Sequence, residues 1–131
     1  MANILLIDDD LQIIELFTST LYAAGYKVKA AFNGRHGMRA MDQQHFDLII
    51  TDIIMPEADG IEIISHILAI PFSERPAVIA MSGGGQRLES EYLFLMATTM
   101  HADLVLEKPI TNSQLLNAVT TVLSKKMTTD D

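Results

Sequence analysis

The sequence predicts an α/β protein built on one parallel sheet with helices on both faces. Three observations carry this. Short apolar runs alternate five times with helical patterns, and strand–helix alternation builds parallel sheets. The central runs are almost wholly apolar, as strands buried on both faces should be. Asp8, Asp9, Asp52, Ser82 and Lys108 all end or follow such runs, where open sheets of this kind bind their ligands.

The first run spans about Asn3 to Asp8. Asp10 precedes the first helix and suits an N-cap. Ile13, Ile14, Phe17 and Leu21 form that helix's apolar stripe, and Gly25 can stop it. Tyr26 to Ala30 alternates polar and apolar residues, the pattern of a half-exposed edge strand. Asn33-Gly34 turns the chain into a short helix carrying Met38 and Met41. Asp47 to Asp52 is the third run and Gly60 to Ala69 the third helix, with Asp59-Gly60 as a turn and cap. Pro76 opens the fourth run, Ala77 to Ser82. Leu88, Tyr92 and Met96 space another helix, and Leu104 to Leu106 is the fifth run. Leu115, Val119 and Val122 mark a last helix ending near Lys125-Lys126. Residues 1–126 read as one domain and residues 127–131 as a loose tail.

The 131 residues, 49% hydrophobic, suffice for one domain with a real core. The net charge of -8 argues against direct binding to a nucleic-acid backbone. The absence of cysteine excludes disulfides, zinc thiolates and thiol nucleophiles. No apolar run approaches the roughly 18 residues of a membrane span, so no membrane insertion is expected. The N-terminus lacks a signal-peptide pattern, which makes the cytoplasm the expected location. The four histidines, His36, His45, His66 and His101, share no metal-like spacing and are read as non-functional. The eight methionines fit core filling.

Parallel strands would bring Asp8, Asp9, Asp52 and Lys108 to one edge. Crowded carboxylates repel, and each raises the pKa of its neighbours. A divalent cation removes that penalty and a lysine offsets more of it. The cluster therefore reads as a metal and phosphoryl site.

These residues sit in five pieces: Leu6-Ile7-Asp8-Asp9-Asp10, Asp52-Ile53-Ile54-Met55-Pro56, Asp59-Gly60, Met81-Ser82-Gly83 and Glu107-Lys108-Pro109. In that order, across nearly the whole chain, they resemble the receiver domain of two-component response regulators. Any one piece is weak, but all five at the ends of the right runs are specific. The resemblance implies a flavodoxin-like (βα)5 three-layer sandwich with strand order 2-1-3-4-5, as in CheY-like receivers. It implies Asp52 as phosphoacceptor, since a carboxylate can hold a phosphoryl group as an aspartyl phosphate. It implies Mg2+ as cofactor, bound by Asp9 and Asp52, by Asp8 through water, and by the backbone carbonyl of Ile54. Lys108, the Ser82 hydroxyl and the Gly83 N–H would meet the phosphoryl oxygens. Pro109 resembles the family's cis proline. The implied donor is a histidine kinase or a phosphotransfer protein. A downstream protein would read the region from Ser82 to Lys108 and the last helix.

The chain departs from the pattern in four places. Val105 stands where most receivers carry an aromatic, which puts the usual aromatic switch in doubt. The stretch from Ser82 to Lys108 is about one helical turn longer than usual, which points to a rearranged output face using Tyr92 or Phe94. His101 replaces a frequent glycine, and a positive φ is expected there. The side chain of Ile54 could hinder water from reaching the acyl phosphate. Gly83-Gly84-Gly85 lacks the lysine and spacing of a nucleotide-binding loop and reads as a flexible link. The expected protein is a switch rather than an enzyme with an external substrate. One alternative is a receiver-like interaction module that works without phosphorylation. A remote one is a haloacid dehalogenase-like phosphatase, with Asp8 and Asp10 as its aspartates, although Gln12 does not fit that motif.

Overall fold

The computed structural model describes residues 2–53, 60–82 and 102–129. Five strands, β1 (Asn3–Ile7), β2 (Lys27–Ala31), β3 (Leu48–Asp52), β4 (Ala77–Ser82) and β5 (Leu104–Glu107), form one parallel sheet. Its order is β2-β1-β3-β4-β5. The described helices are α1 (Leu11–Ala23), α2 (Gly34–Gln43), α3 (Gly60–Leu68) and α4 (Asn112–Thr129), with one 3-10 turn at Phe72–Glu74. The helical pattern of Leu88, Tyr92 and Met96 lies outside the described residues.

The period of two along each strand sorts the core into two layers. Ile4, Leu6, Leu48, Ile50, Ile79 and Met81 face one side and pack with Phe17 and Leu21 of α1 and with Leu115, Val119 and Val122 of α4. Leu5, Ile7, Ile49, Val78 and Ala80 face the other and pack with Ala40 of α2 and with Ile63, Ile64 and Ile67 of α3. Every residue of β3 and β4 is buried. β2 alternates exposed and partly buried residues at the sheet's edge, as its sequence pattern requires.

Local signals set the helix ends. The Asp10 carboxylate accepts the N–H of Gln12 at 2.9 Å and caps α1. Gly25, at φ 99°, ends it; the N–H of Tyr26 reaches Leu21 O and that of Gly25 reaches Tyr22 O. That pairing satisfies the last carbonyls and needs the left-handed backbone that glycine tolerates. Asn33 caps α2 by accepting the His36 N–H at 2.8 Å. Thr111 and Gln114 cap α4 reciprocally: Thr111 Oγ1 accepts the Gln114 N–H, and Gln114 Oε1 accepts the Thr111 N–H.

Several sequence expectations shift: α3 ends at Leu68 rather than Ala69, and β5 extends past Leu106 to Glu107. β2 lies one residue later than the Tyr26 to Ala30 pattern. α4 runs to Thr129, past the expected stop at Lys125-Lys126, because neither Gly nor Pro interrupts Met127-Thr128-Thr129. On α2 the buried residues are Gly34, Gly37 and Ala40, while Met38 and Met41 pack only partly against the core. The cause is close approach: a Cβ on Gly37 would overlap Ile7 Cδ1 of β1.

Candidate functional site

The strand registers bring one set of polar residues to the C-terminal edge of the sheet. Ile7 stands beside Thr51, Asp52 beside Met81, and Ser82 beside Glu107. The residues that end or follow these strands, Asp8, Asp52, Ser82 and Lys108, thus become neighbours. Backbone bonds fix the strand exits: Asp8 N–H donates to Ala31 O at 3.1 Å, Ile53 N–H to Met81 O at 3.0 Å, and Lys108 N–H to Ser82 O at 2.7 Å. The Lys108–Pro109 peptide is cis.

Lys108 Nζ donates to Asp8 Oδ2 at 2.9 Å and to Asp52 Oδ2 at 3.0 Å. Asp8 Oδ1 accepts the Asp10 N–H at 2.9 Å. Asp8 is fully buried, Asp52 and Ser82 nearly so, and Asp9 is exposed. Burial pushes the Asp8 carboxyl above its ordinary value, and the charge of Asp52 adds to that. The Asp10 N–H and Lys108 pull it back only in part. Burial works against the Lys108 ammonium, but Asp52 and Asp8 outweigh it and raise its pKa. The lysine therefore stays charged.

One ammonium faces three carboxylates. Asp8, Asp9 and Asp52 each offer an oxygen, and these oxygens lie within 4.8 Å of one another. Hard oxygen donors with residual negative charge fit Mg2+, which is commonly bound by one or two carboxylates together with waters and phosphate oxygens. The same cluster keeps Asp52 beside Lys108.

A scan of family models matches the response regulator receiver domain over residues 4–120. The chain belongs to that family. A probable chemotaxis protein CheY of Rhizobium etli is 30% identical over 121 residues, covering 92% of this chain and 91% of the relative. A CpxR homolog of Haemophilus influenzae, described as a transcriptional regulatory protein, is 26% identical over 125 residues and 95% of this chain. This chain spans only 52% of that relative and 28% of the transcriptional regulatory protein GlrR of Escherichia coli. A crystal structure of a response regulator receiver domain protein from Clostridium thermocellum superposes with a TM-score of 0.86 at 29% identity, covering 97% of this chain and 98% of the other. The receiver family is a regulatory one, belonging to two-component signalling.

Of the sequence-derived receiver site, the structure brings Asp8, Asp9, Asp52, Ser82 and Lys108 together. Ile54, Asp59, Gly83, Tyr92, Phe94 and His101 lie outside the described residues. Asp10 caps α1 rather than joining the cluster, although its N–H holds Asp8. Val105 packs against the layer that contains Ala80, its neighbour on β4. Sequence reading missed the interactions at the opposite, N-terminal edge of the sheet. There Asp47 Oδ2 accepts the Asn3 N–H, Asp103 Oδ2 accepts the Val78 N–H, and Lys126 Nζ donates to Asp47 O and Arg75 O. His66 Nε2 meets Asp42 Oδ1 at 3.1 Å and ties α3 to α2. No helix among the described residues is long and apolar enough to cross a membrane.

Proposed function

We propose that this chain is a cytoplasmic phosphorylation switch that accepts a phosphoryl group on Asp52 from a histidine kinase or phosphotransfer protein. The observation that carries this reading is the meeting of Asp8, Asp52 and Lys108 at one sheet edge.

Asp52 attacks the phosphorus of a phosphohistidine with a carboxylate oxygen. The new P–O bond forms as the P–N bond breaks, and the leaving imidazole takes its electron pair and a proton from solvent. Such transfers need positioning and charge neutralisation more than covalent help. Lys108 supplies a positive charge beside the acceptor and would follow the transferred oxygens. The Ser82 hydroxyl and the Gly83 N–H would donate to the others. Mg2+ held by Asp9, Asp52 and the Ile54 carbonyl, and by Asp8 through water, would neutralise phosphoryl charge. The product is the modified protein itself, so no external substrate is turned over.

Once Lys108 and Ser82 turn toward the phosphoryl group, the conformational equilibrium shifts and partner affinity changes. Val105 has no ring to reorient, so the output path runs through the Ser82 to Lys108 stretch and α4 without an aromatic rotamer.

Intact mass after incubation with acetyl phosphate and Mg2+ tests the reading. Wild type should gain one phosphoryl group and Asp52→Ala none. Equal gain in both proteins would remove Asp52 as the acceptor.

A further inference from the structure

A cavity of about 590 Å³ lies where β4 begins, at the sheet edge opposite the one that carries Asp52. Its size suits a small organic ligand, for which pockets run from roughly 300 to 1,000 Å³. Among the described residues its apolar wall is Ile64 and Ile67 of α3, Val78 of β4 and Val122 of α4. Phe72, which also lines it, is 80% exposed. The charged residues described there are Arg75, Lys125 and Lys126 against one acid, Asp103. Positive charge thus gathers at one hollow of a protein whose net charge is -8.

The local bonds do not neutralise that charge. Arg75 spends Nε and Nη2 on the carbonyls of Leu68 and Ile70, and no bond among the described residues takes up Nη1. Lys126 Nζ donates to Asp47 O and Arg75 O, and an ammonium has a further N–H to give. The acids at this edge do not answer the two cations. Asp47 Oδ2 accepts the Asn3 N–H and Asp103 Oδ2 the Val78 N–H, and neither carboxylate pairs with a cation among the described residues. Capping of carbonyls accounts for where Arg75 and Lys126 stand. It does not account for charged donors left over beside an apolar wall. Apolar walls with a few convergent polar groups are what a ligand site shows.

We propose that this cavity binds a small apolar organic acid. Its carboxylate meets Arg75 Nη1 and Lys126 Nζ, and its hydrocarbon body covers Ile67, Val122 and the ring of Phe72. The planar donors of arginine suit a carboxylate, and a bond between two charged groups is stronger than one to a neutral carbonyl. A nucleotide fits less well, because a hydrocarbon wall leaves the polar edges of a base unpaired. The bound acid would bridge α3, β4 and α4 at the edge away from Asp52. The site therefore goes beyond phosphoryl transfer and does not rest on it.

The test is an amide-shift titration of the isotope-labelled full chain with octanoate, kept below its micelle concentration. Saturable shifts centred on residues 67–78 and 122–126 are expected. Affinity should rise about twofold or more for each methylene added between hexanoate and decanoate. Octylamine should bind about tenfold more weakly than octanoate, since it brings the wrong charge. Lys126→Gln should weaken octanoate about tenfold by removing one charge-assisted bond, and Lys126→Arg should restore most of the loss. Should Lys126→Gln fail to fold, Asp103→Asn serves instead. It keeps an oxygen for the Val78 N–H and removes the opposing charge, so octanoate should bind more tightly. No shifts, shifts elsewhere, equal binding of octylamine, or unchanged affinity in the charge variant overturns the proposal. Affinity that ignores chain length overturns the hydrocarbon contact. Tighter binding of ATP at the same residues overturns the choice of ligand.

Discussion

Lys108 Nζ lies 3.0 Å from Asp52 Oδ2 and is shared with the fully buried Asp8. The proposed acceptor and its counter-ion are therefore already in contact before any phosphoryl group arrives. Their stabilities should respond in opposite directions to mutation. Lys108→Ala leaves buried carboxylates facing one another without a cation and should cost about 1–3 kcal/mol in metal-free buffer. Asp52→Asn removes one of three repelling charges while Asp8 keeps Lys108 paired, and should be neutral or stabilising. Urea unfolding in EDTA measures both. A loss in Asp52→Asn as large as that in Lys108→Ala would mean that attraction, not repulsion, dominates the cluster.

Asp8 should give an unusual pH slope. Its folded pKa is raised, chiefly by burial. The folded state therefore binds its proton more readily than the unfolded state does. The stabilisation is fully present below the unfolded value of 3.8 and is lost as pH rises through the raised folded value. This slope is opposite to that of an ordinary paired carboxylate. Asp8→Asn removes it, so the metal-free variant should outperform wild type near neutrality by a margin that shrinks as pH falls toward 3.8. Lys108 acts at the alkaline end. Its pKa is raised above 10.5, so its contribution is complete below 10.5 and disappears as pH passes its folded value. Unfolding curves over the acid and alkaline ranges, for wild type and each variant, check both signs.

The legible parts of this chain are those whose signal is local or repeated. β3 and β4 stand out because burial on both faces makes every position before the closing Thr51-Asp52 and Ser82 apolar. Asp10 and Gly25 announce the ends of α1 by residue type alone. The site was legible because each of its charged members ends or follows a strand, so a topology argument assembled it without distances. The N-terminal edge was not legible. Asp47, Asp103 and Lys126 are single polar residues whose partners are backbone groups far along the chain, and nothing in their neighbours marks them. Thr111-x-x-Gln114 was a readable capping signature that the apolar pattern overshadowed.

Gly37 also escaped sequence reading, because a helical glycine carries no sign of what faces it. Alanine there gains about 0.5–1 kcal/mol of helix propensity. It also places a Cβ against Ile7 Cδ1, with Ile7 Cγ1 at 3.0 Å. Ile7 is fully buried and has little room to yield. Overpacking of this kind costs about 1–3 kcal/mol, so Gly37→Ala should destabilise on balance. Ile7→Val alone should cost about 0.5–1.5 kcal/mol. The double variant removes the methyl that is struck, so it should be more stable than the two single effects predict. A thermodynamic cycle that shows simple additivity would place the strain elsewhere.

Arg75 closes α3. Its Nη2 donates to Leu68 O at 3.0 Å and Ile70 O at 2.9 Å, and its Nε donates to Ile70 O at 3.3 Å. The guanidinium also sits 5.5 Å above the Phe72 ring. Helix-terminal carbonyls lack intrahelical donors, and here one planar side chain satisfies two of the carbonyls at this end. Arg75→Ala should cost about 1–2 kcal/mol and speed amide exchange in the last turn of α3. Lysine reaches similarly far but offers a point charge rather than a fork. Arg75→Lys should therefore recover less than half of the loss. Asp52 lies at the opposite edge of the sheet, so phosphorylation by acetyl phosphate should proceed in Arg75→Ala at the wild-type rate under conditions where the variant remains folded. A slower rate in the folded variant would show that the α3 terminus couples to the acidic site.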